Sequence, residues 1–142
     1  MRRDRIRQRA RQIPECPRKE HRVSSDITPK QRDDIRYVLS DAFVDNEVDY
    51  AYIARETQAY DRAEVERILY EEVAPVCYIN LMAVIPEIWM GFAREPLLEE
   101  IEASLALRRS NRWQAFRVRL FIRWIRFRGA YIWEEICKHY AP

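Results

Sequence analysis

The stretch Asn111–Arg128, NRWQAFRVRLFIRWIRFR, sets the terms for the whole chain. Placed at about 100° per residue on a helix, it resolves into two apolar faces instead of one. Trp113, Phe116, Leu120, Trp124 and Phe127 share the first face. Ala115, Val118, Phe121, Ile122 and Ile125 share the second, roughly opposite. Arg112, Arg119, Arg123 and Arg126 form one ridge between the faces, and Arg117 with Arg128 forms the other. Arg108, one turn earlier, extends the wider ridge. A surface helix carries one apolar stripe, turned toward the core. Two stripes predict a helix packed on both sides, with Trp113, Leu120 and Trp124 buried against one neighbour and Ile122 and Ile125 against another. Its arginines are expected to face carboxylates of the same protein. A face left bare would be the place to look for a partner.

The rest of the composition supports a helical setting. A chain of 142 residues, 48% of them hydrophobic, can bury a sizeable core within one domain. Two glycines, with abundant Glu, Arg, Leu and Ala, favour helices over turn-rich β architecture. The small net charge of +2 conceals a strong segregation. Residues 1–25 hold nine Lys/Arg against three acids, residues 26–107 seven against eighteen, and residues 108–128 eight arginines and no acid. The expected organisation is a basic arm over 1–27 and a single helical domain over 28–142. Within that domain an acidic body (28–107) precedes Arg- and aromatic-rich C-terminal helices (108–142).

Helix signals recur along the body. Thr28 and Pro29 suit the N-cap and first position of a helix that buries Ile35, Val38, Leu39, Ala42 and Phe43. A polar break at Asp45–Val48 leads to a short helix from Asp49. Asp61 caps the next, with Glu64 as its capping-box partner and Tyr60 and Val65 as a hydrophobic staple. Pro75 starts or kinks a nearly all-apolar segment, Val76–Ile85, that Pro86 ends. Ile88–Phe92 reads as a loop. Pro96 opens a helix with Leu97, Leu98, Ile101 and Leu105 inward. Asn111 and Gln114 cap the two-faced helix, Gly129 ends it, and a last helix carries Ile132, Trp133, Ile136 and Tyr140. The fold class is all-α: a compact bundle of about six or seven helices with a basic N-terminal arm.

Several of these residues occur together in a pattern met elsewhere. The run Leu39–Ala54, LSDAFVDNEVDYAYIA, then Glu66-Arg67-Ile68-Leu69, Glu72-Val73-Ala74-Pro75-Val76, Asn80-Leu81 and Trp89 with Gly91-Phe92, resembles a small bacterial domain family of unknown function. The resemblance covers about residues 28–107. It implies a small soluble helical bacterial protein and carries no catalytic residue with it.

Chemistry-bearing patterns are few. Asp45, Glu47, Asp49 and Glu56 match positions 1, 3, 5 and 12 of an EF-hand loop, but Tyr50 stands where the sharp turn needs Gly. Carboxylates at two helix starts account for them better. His139 follows Glu135 by one turn, and His21 lies in the arm. Adjacent Glu71-Glu72 and Glu99-Glu100 splay apart on a helix. Cys16, Cys77 and Cys137 are odd in number and widely spaced, which predicts neither a zinc site nor a disulfide framework and favours a reducing cytoplasm. No apolar h-region follows the early arginines. The longest uncharged run, Val73–Pro86, is too short to span a bilayer.

These features favour binding over catalysis, with no cofactor and no metal. The expected function is that of a non-catalytic bacterial protein of the immunity or antitoxin type, which neutralises a toxin or effector encoded nearby. The expected binding surface is acidic: Asp41, Asp45, Glu47, Asp49 and Glu56. A homodimer through the second apolar face of helix 111–128 is the other protein contact this pattern allows. The alternative function is nucleic-acid binding through Arg112, Arg119, Arg123 and Arg126 together with the N-terminal arm. Two separate apolar faces are the wrong geometry for a helix lying in a membrane surface.

Overall fold

The computed structural model describes residue 16 and residues 26–44, 47–82 and 92–141, the side chains of 79–82 excepted. Most of the expected basic arm, the loop at 88–91, and Asp45 therefore lie outside the described residues.

Local signals place the first helices. In α1 (Pro29–Ser40), Thr28 Oγ1 accepts from the Gln31 amide at 3.2 Å and the Gln31 side chain accepts from the Thr28 amide at 2.9 Å. This is a complete capping box. A 3-10 turn (Asp41–Phe43) follows, then α2 (Tyr50–Thr57), whose N-cap Asp49 accepts from the Tyr52 amide at 2.8 Å. Asp61 accepts from the Glu64 amide at 3.0 Å and so opens α3 (Arg62–Ile68). A π-helical turn (Leu69–Val73) joins α3 directly to α4 (Ala74–Met82). The remaining helices are α5 (Arg94–Ser110), α6 (Arg112–Arg128) and α7 (Ala130–Lys138). No strand occurs among the described residues, and the fold is an all-α bundle. Helix α5 begins two residues before the expected Pro96, which sits within its first turn.

The rod α3–π–α4 forms the axis of the bundle. Val65, Ile68, Leu69, Tyr70, Val73, Ala74 and Cys77 along it are all buried. Around them pack Ile35 and Leu39 of α1, Phe43, Ile53 of α2, Leu97 and Ile101 of α5, Ile125 of α6, and Ile132 and Ile136 of α7. Tyr140, just past α7, is buried on Thr57, with the two hydroxyls 2.8 Å apart.

The π turn has a cause in the sequence. Pro75 has no N–H, so it cannot bond the carbonyl four residues back, that of Glu71. The ladder widens instead, and the Ala74 amide reaches the Leu69 carbonyl, five residues back. The orphaned Glu71 carbonyl accepts from Arg108 Nη1 at 2.7 Å. Arg108 is thereby drawn into the body instead of extending the arginine ridge outside it.

A buried ion cluster ties the same turn to α1 and α5. Glu72, 3% exposed, takes a two-pronged contact from Arg32 and a 2.8 Å bond from Arg36 Nε. Arg36, also buried, reaches Glu102 of α5 at 2.6 Å and Asp33 at 3.1 Å. Arg32 also bonds Glu64 at 3.1 Å. Burial pushes the Glu72 carboxyl up, yet the hydrogen bonds from Arg32 and Arg36 outweigh it and hold the group below the usual glutamate range. Glu64 is held low as well, chiefly by its hydrogen bond from Arg67.

Two further expectations are overturned. Cys16 and Cys137 form a disulfide, their Cα atoms 5.5 Å apart, which links residue 16 to α7 across 121 residues of sequence. The wide spacing that argued against a bridge is spanned because α7 folds back beside α2 and carries the C-terminal end toward Cys16. The cysteine argument for a reducing compartment falls with it. Second, α6 is not packed on both sides. Only Ile125 among its residues is fully buried, and the face of Trp113, Phe116, Leu120, Trp124 and Phe127 is open.

Replacing Arg108 with Met should leave the Glu71 carbonyl unpaired and cost about 1–3 kcal/mol, read from urea unfolding. The acid limb of stability has a definite sign. A carboxyl whose pKa is lowered by folding stabilises fully above the ordinary glutamate value of about 4.3, and that stability is lost as pH falls through the depressed value. The urea midpoint is therefore expected to be level near neutrality and to drop below about pH 4.3. Glu72→Gln should flatten that drop and cost about 3–5 kcal/mol at pH 7 by leaving two guanidiniums short of a partner.

Candidate protein-docking face

Helices α5 and α6 form a hairpin whose junction is Asn111. Its side chain accepts from the amides of Trp113 at 3.0 Å and Gln114 at 3.3 Å, ending one helix and starting the next within a single residue. The hairpin is anchored near its base by Leu97 and Ile101 of α5 and Ile125 of α6. From Glu102 to Trp124 no residue is fully buried. At the far end, Gly129 lets α6 turn into α7: its amide bonds the Ile125 carbonyl at 2.6 Å, and a Cβ there would lie 2.9 Å from that oxygen. The buried Tyr70 hydroxyl donates to the Gly129 carbonyl at 2.8 Å, fixing the junction to the π turn.

The outer face of α6 is a line of large apolar side chains. Trp113 is 74% exposed, Phe116 50%, Leu120 51%, Trp124 40% and Phe127 81%. Neighbours three or four apart on a helix adjoin, so the five make one continuous stripe. With aromatic side chains contributing 150–250 Å² each when fully buried, the open area is on the order of 600 Å². A typical monomer's largest apolar patch is of that size and is often functional. Trp124 is held at the stripe's inner edge: it stacks on Phe121 at 5.9 Å, and the Tyr78 ring meets it edge-on at 5.5 Å. Tyr78 in turn contacts Phe43 of the core, so the stripe is continuous with the packed interior. Trp113 and Phe116 meet edge to face at 6.2 Å.

The arginines divide. Arg126 lies 3.3 Å from Glu66 and 3.6 Å from Glu71, with its guanidinium 5.0 Å from the Tyr70 ring centre. Arg112, Arg117, Arg119, Arg123 and Arg128 are exposed and form no ion pair among the described residues. The expectation that the ridges face the body's carboxylates therefore holds for Arg126 alone. Arginines of one helix radiate around it, and only the side toward the body reaches its acids.

The described members of the expected acidic surface lie in the 3-10 turn and at both ends of α2. Glu47 and Asp49 are exposed, and Asp49 is engaged as the N-cap. Glu56 is exposed and 3.4 Å from Arg55. Asp41 is half-buried in the 3-10 turn, where burial pushes its carboxyl up. Burial first, then the Glu56 and Asp41 carboxylates, raise the Tyr52 phenol that lies among them.

The Arg32–Glu72–Arg36 cluster has no counterpart among the sequence expectations. Its signal is that Glu72 falls four residues after Ile68 and seven after Val65, on the core stripe, where an unpaired acid cannot stay. Both Glu72 oxygens already accept from guanidiniums, so the group is neither a proton donor nor a ready base. Cys77 is buried, and burial pushes its thiol up to about 12, which makes it a poor nucleophile. No group of three or more His, Cys, Asp or Glu among the described residues is placed to hold a metal ion. No helix among them is long and apolar enough to cross a membrane.

Comparison with curated proteins and with solved structures found no match. A family model does match, over residues 30–139, and thus takes in α6 and α7 as well as the body. The chain belongs to that family, a domain of unknown function designated DUF7079.

Proposed function

We propose that this protein acts by binding another protein through the outer face of α6, without a reaction of its own. The observation that carries the reading is the open Trp113–Phe127 stripe on a hairpin whose distal half holds no fully buried residue. An apolar patch at the top of the range for a monomer often marks a surface that a partner covers. Standard interfaces bury about 800 Å² per partner, so the stripe supplies most of one side. The buried titratable groups support a non-catalytic role, since Glu72 is engaged and Cys77 is protonated.

Within that class we propose an immunity or antitoxin type of protein, of bacterial origin, that neutralises a toxin or effector by covering it. The acid-rich stretch 26–107 supports this by suiting a partner with a basic active site, with Asp41, Asp45, Glu47, Asp49 and Glu56 offered as a second surface in addition to the α6 face. Nucleic-acid binding is the second reading. It is favoured by the five exposed arginines without acidic partners, Arg112, Arg119 and Arg123 among them, whereas Arg126 is paired.

Co-expression with the product of an adjacent gene tests the first reading. The wild type is expected to relieve that product's toxicity and to co-purify with it in a stoichiometric complex. Leu120→Glu with Phe127→Glu, both at exposed positions, should preserve helical circular dichroism yet weaken the complex at least about 100-fold. A double variant that protects as well as the wild type would remove α6 as the binding face. Salt-sensitive RNA or DNA binding, lost in Arg119→Ala with Arg123→Ala, would shift the balance to the second reading.

A further inference from the structure

The charge around the open face of α6 specifies what sort of protein segment can lie on it, provided the face binds a protein as proposed above. We infer that the occupant is an amphipathic helix whose apolar seam is bordered by Asp and Glu. The spacing argues for a helix. Trp113, Phe116, Leu120, Trp124 and Phe127 follow one another by three, four, four and three residues, close to the repeat by which two helices interlock side chains along a seam. The charge argues for acidity. Arg117 and Arg128 border one edge of the stripe, and Arg112, Arg119 and Arg123 follow the other; all five are exposed and lack an acidic partner among the described residues. Helix α6 contains no Asp or Glu. Its whole rim therefore presents one sign of charge around an apolar centre, which sets partner choice as flanking charges do in paired helices.

The same charge disfavours two other occupants, and ring geometry disfavours a third. A second copy laid α6 against α6 would set arginine rim against arginine rim, and like charges across an interface are costly. The chain's own residues 1–25, nine basic against three acidic, fail on the same ground. A single-stranded nucleic acid has the right charge but needs open ring faces for its bases. The stripe breaks such stacking at its middle, where Leu120 has no ring and Trp124 has one face on Phe121 and meets Tyr78 edge-on, so the open rings of Trp113 and Phe127 at its two ends are not joined into one platform. The rings are assembled as a hydrophobic seam.

The test uses the full chain and two synthetic three-heptad peptides with Leu at both seam positions. One carries Glu at the flanking positions and its twin carries Lys. By fluorescence anisotropy the Glu peptide is expected to bind at least tenfold more tightly, with the advantage shrinking as salt rises. Arg117→Glu with Arg123→Glu should remove most of the preference, because it cuts the rim's excess of positive charge, and Leu120→Glu should abolish binding of both. Equal affinity of the wild type for the two peptides, or a preference unchanged in the double arginine variant, overturns the inference. So does an oligouridylate that binds more tightly than the Glu peptide and is lost with Trp113→Ala, or a stable dimer by sedimentation that Leu120→Glu converts to monomer. If the neutralisation complex forms and Leu120→Glu breaks it while the peptides do not discriminate, only the acidic helix falls. If the Glu peptide is selected but no neutralisation complex forms, the toxin reading falls and the acidic helix stands.

Discussion

Glu72, buried between the guanidiniums of Arg32 and Arg36, is the contact on which the arrangement of the bundle turns. Through Arg36 it reaches Glu102, so a single carboxylate on the central rod ties α1 and α5 to it at once. Such a cluster stabilises little relative to a well-packed apolar core, because desolvating the charges offsets most of their attraction. What it contributes is register: the three elements can meet only where each charge finds its partner. The hydrophobic stripes of those helices would tolerate small slips that the cluster does not.

The next constraint sits three residues further along the rod. Pro75 deprives the rod of a hydrogen bond, the ladder widens into a π turn, and Arg108 of α5 fills the vacancy at the Glu71 carbonyl. Tyr70, on the same turn, holds the Gly129 carbonyl where α6 becomes α7. One irregular turn thus fixes both α5 and the far end of α6. Between those fixed points the hairpin extends past the core, and its outer stripe stays open except where Trp124 meets Phe121 and Tyr78. The disulfide from Cys16 to α7 and the Tyr140–Thr57 contact close the opposite side. The anchoring leaves the outer face of α6 open along its length, from Trp113 near the tip to Phe127 beside Gly129.

Much of this was legible residue by residue. Thr28, Asp49, Asp61 and Asn111 each accept the backbone amides that their side chains and positions predict. Gly129 ends α6, and Ile132, Ile136 and Tyr140 are buried as their spacing implies. Capping and periodicity are local, so they can be read without knowing the neighbours. The buried Arg32–Glu72–Arg36 cluster, the Cys16–Cys137 bridge and the pairing of Arg108 join residues that lie 36 to 121 apart in the chain. No local pattern announces such partners, although the place of Glu72 on a core stripe hinted at one.

Helix α6 separates the two kinds of knowledge most clearly. Its helical form, its caps, its two apolar faces and its arginine rims follow from the order of residues between Asn111 and Arg128 alone, since each depends on a fixed 3.6-residue turn. Which face is covered does not. That depends on where α4, α5 and α7 stand around it, and they stand on the side of Val118, Ile122 and Ile125. Periodicity specifies an angle about the helix axis and carries no information about what occupies the space at that angle. The packing of the whole bundle settled that Ile125 is core and that Trp113 and Phe127 are surface.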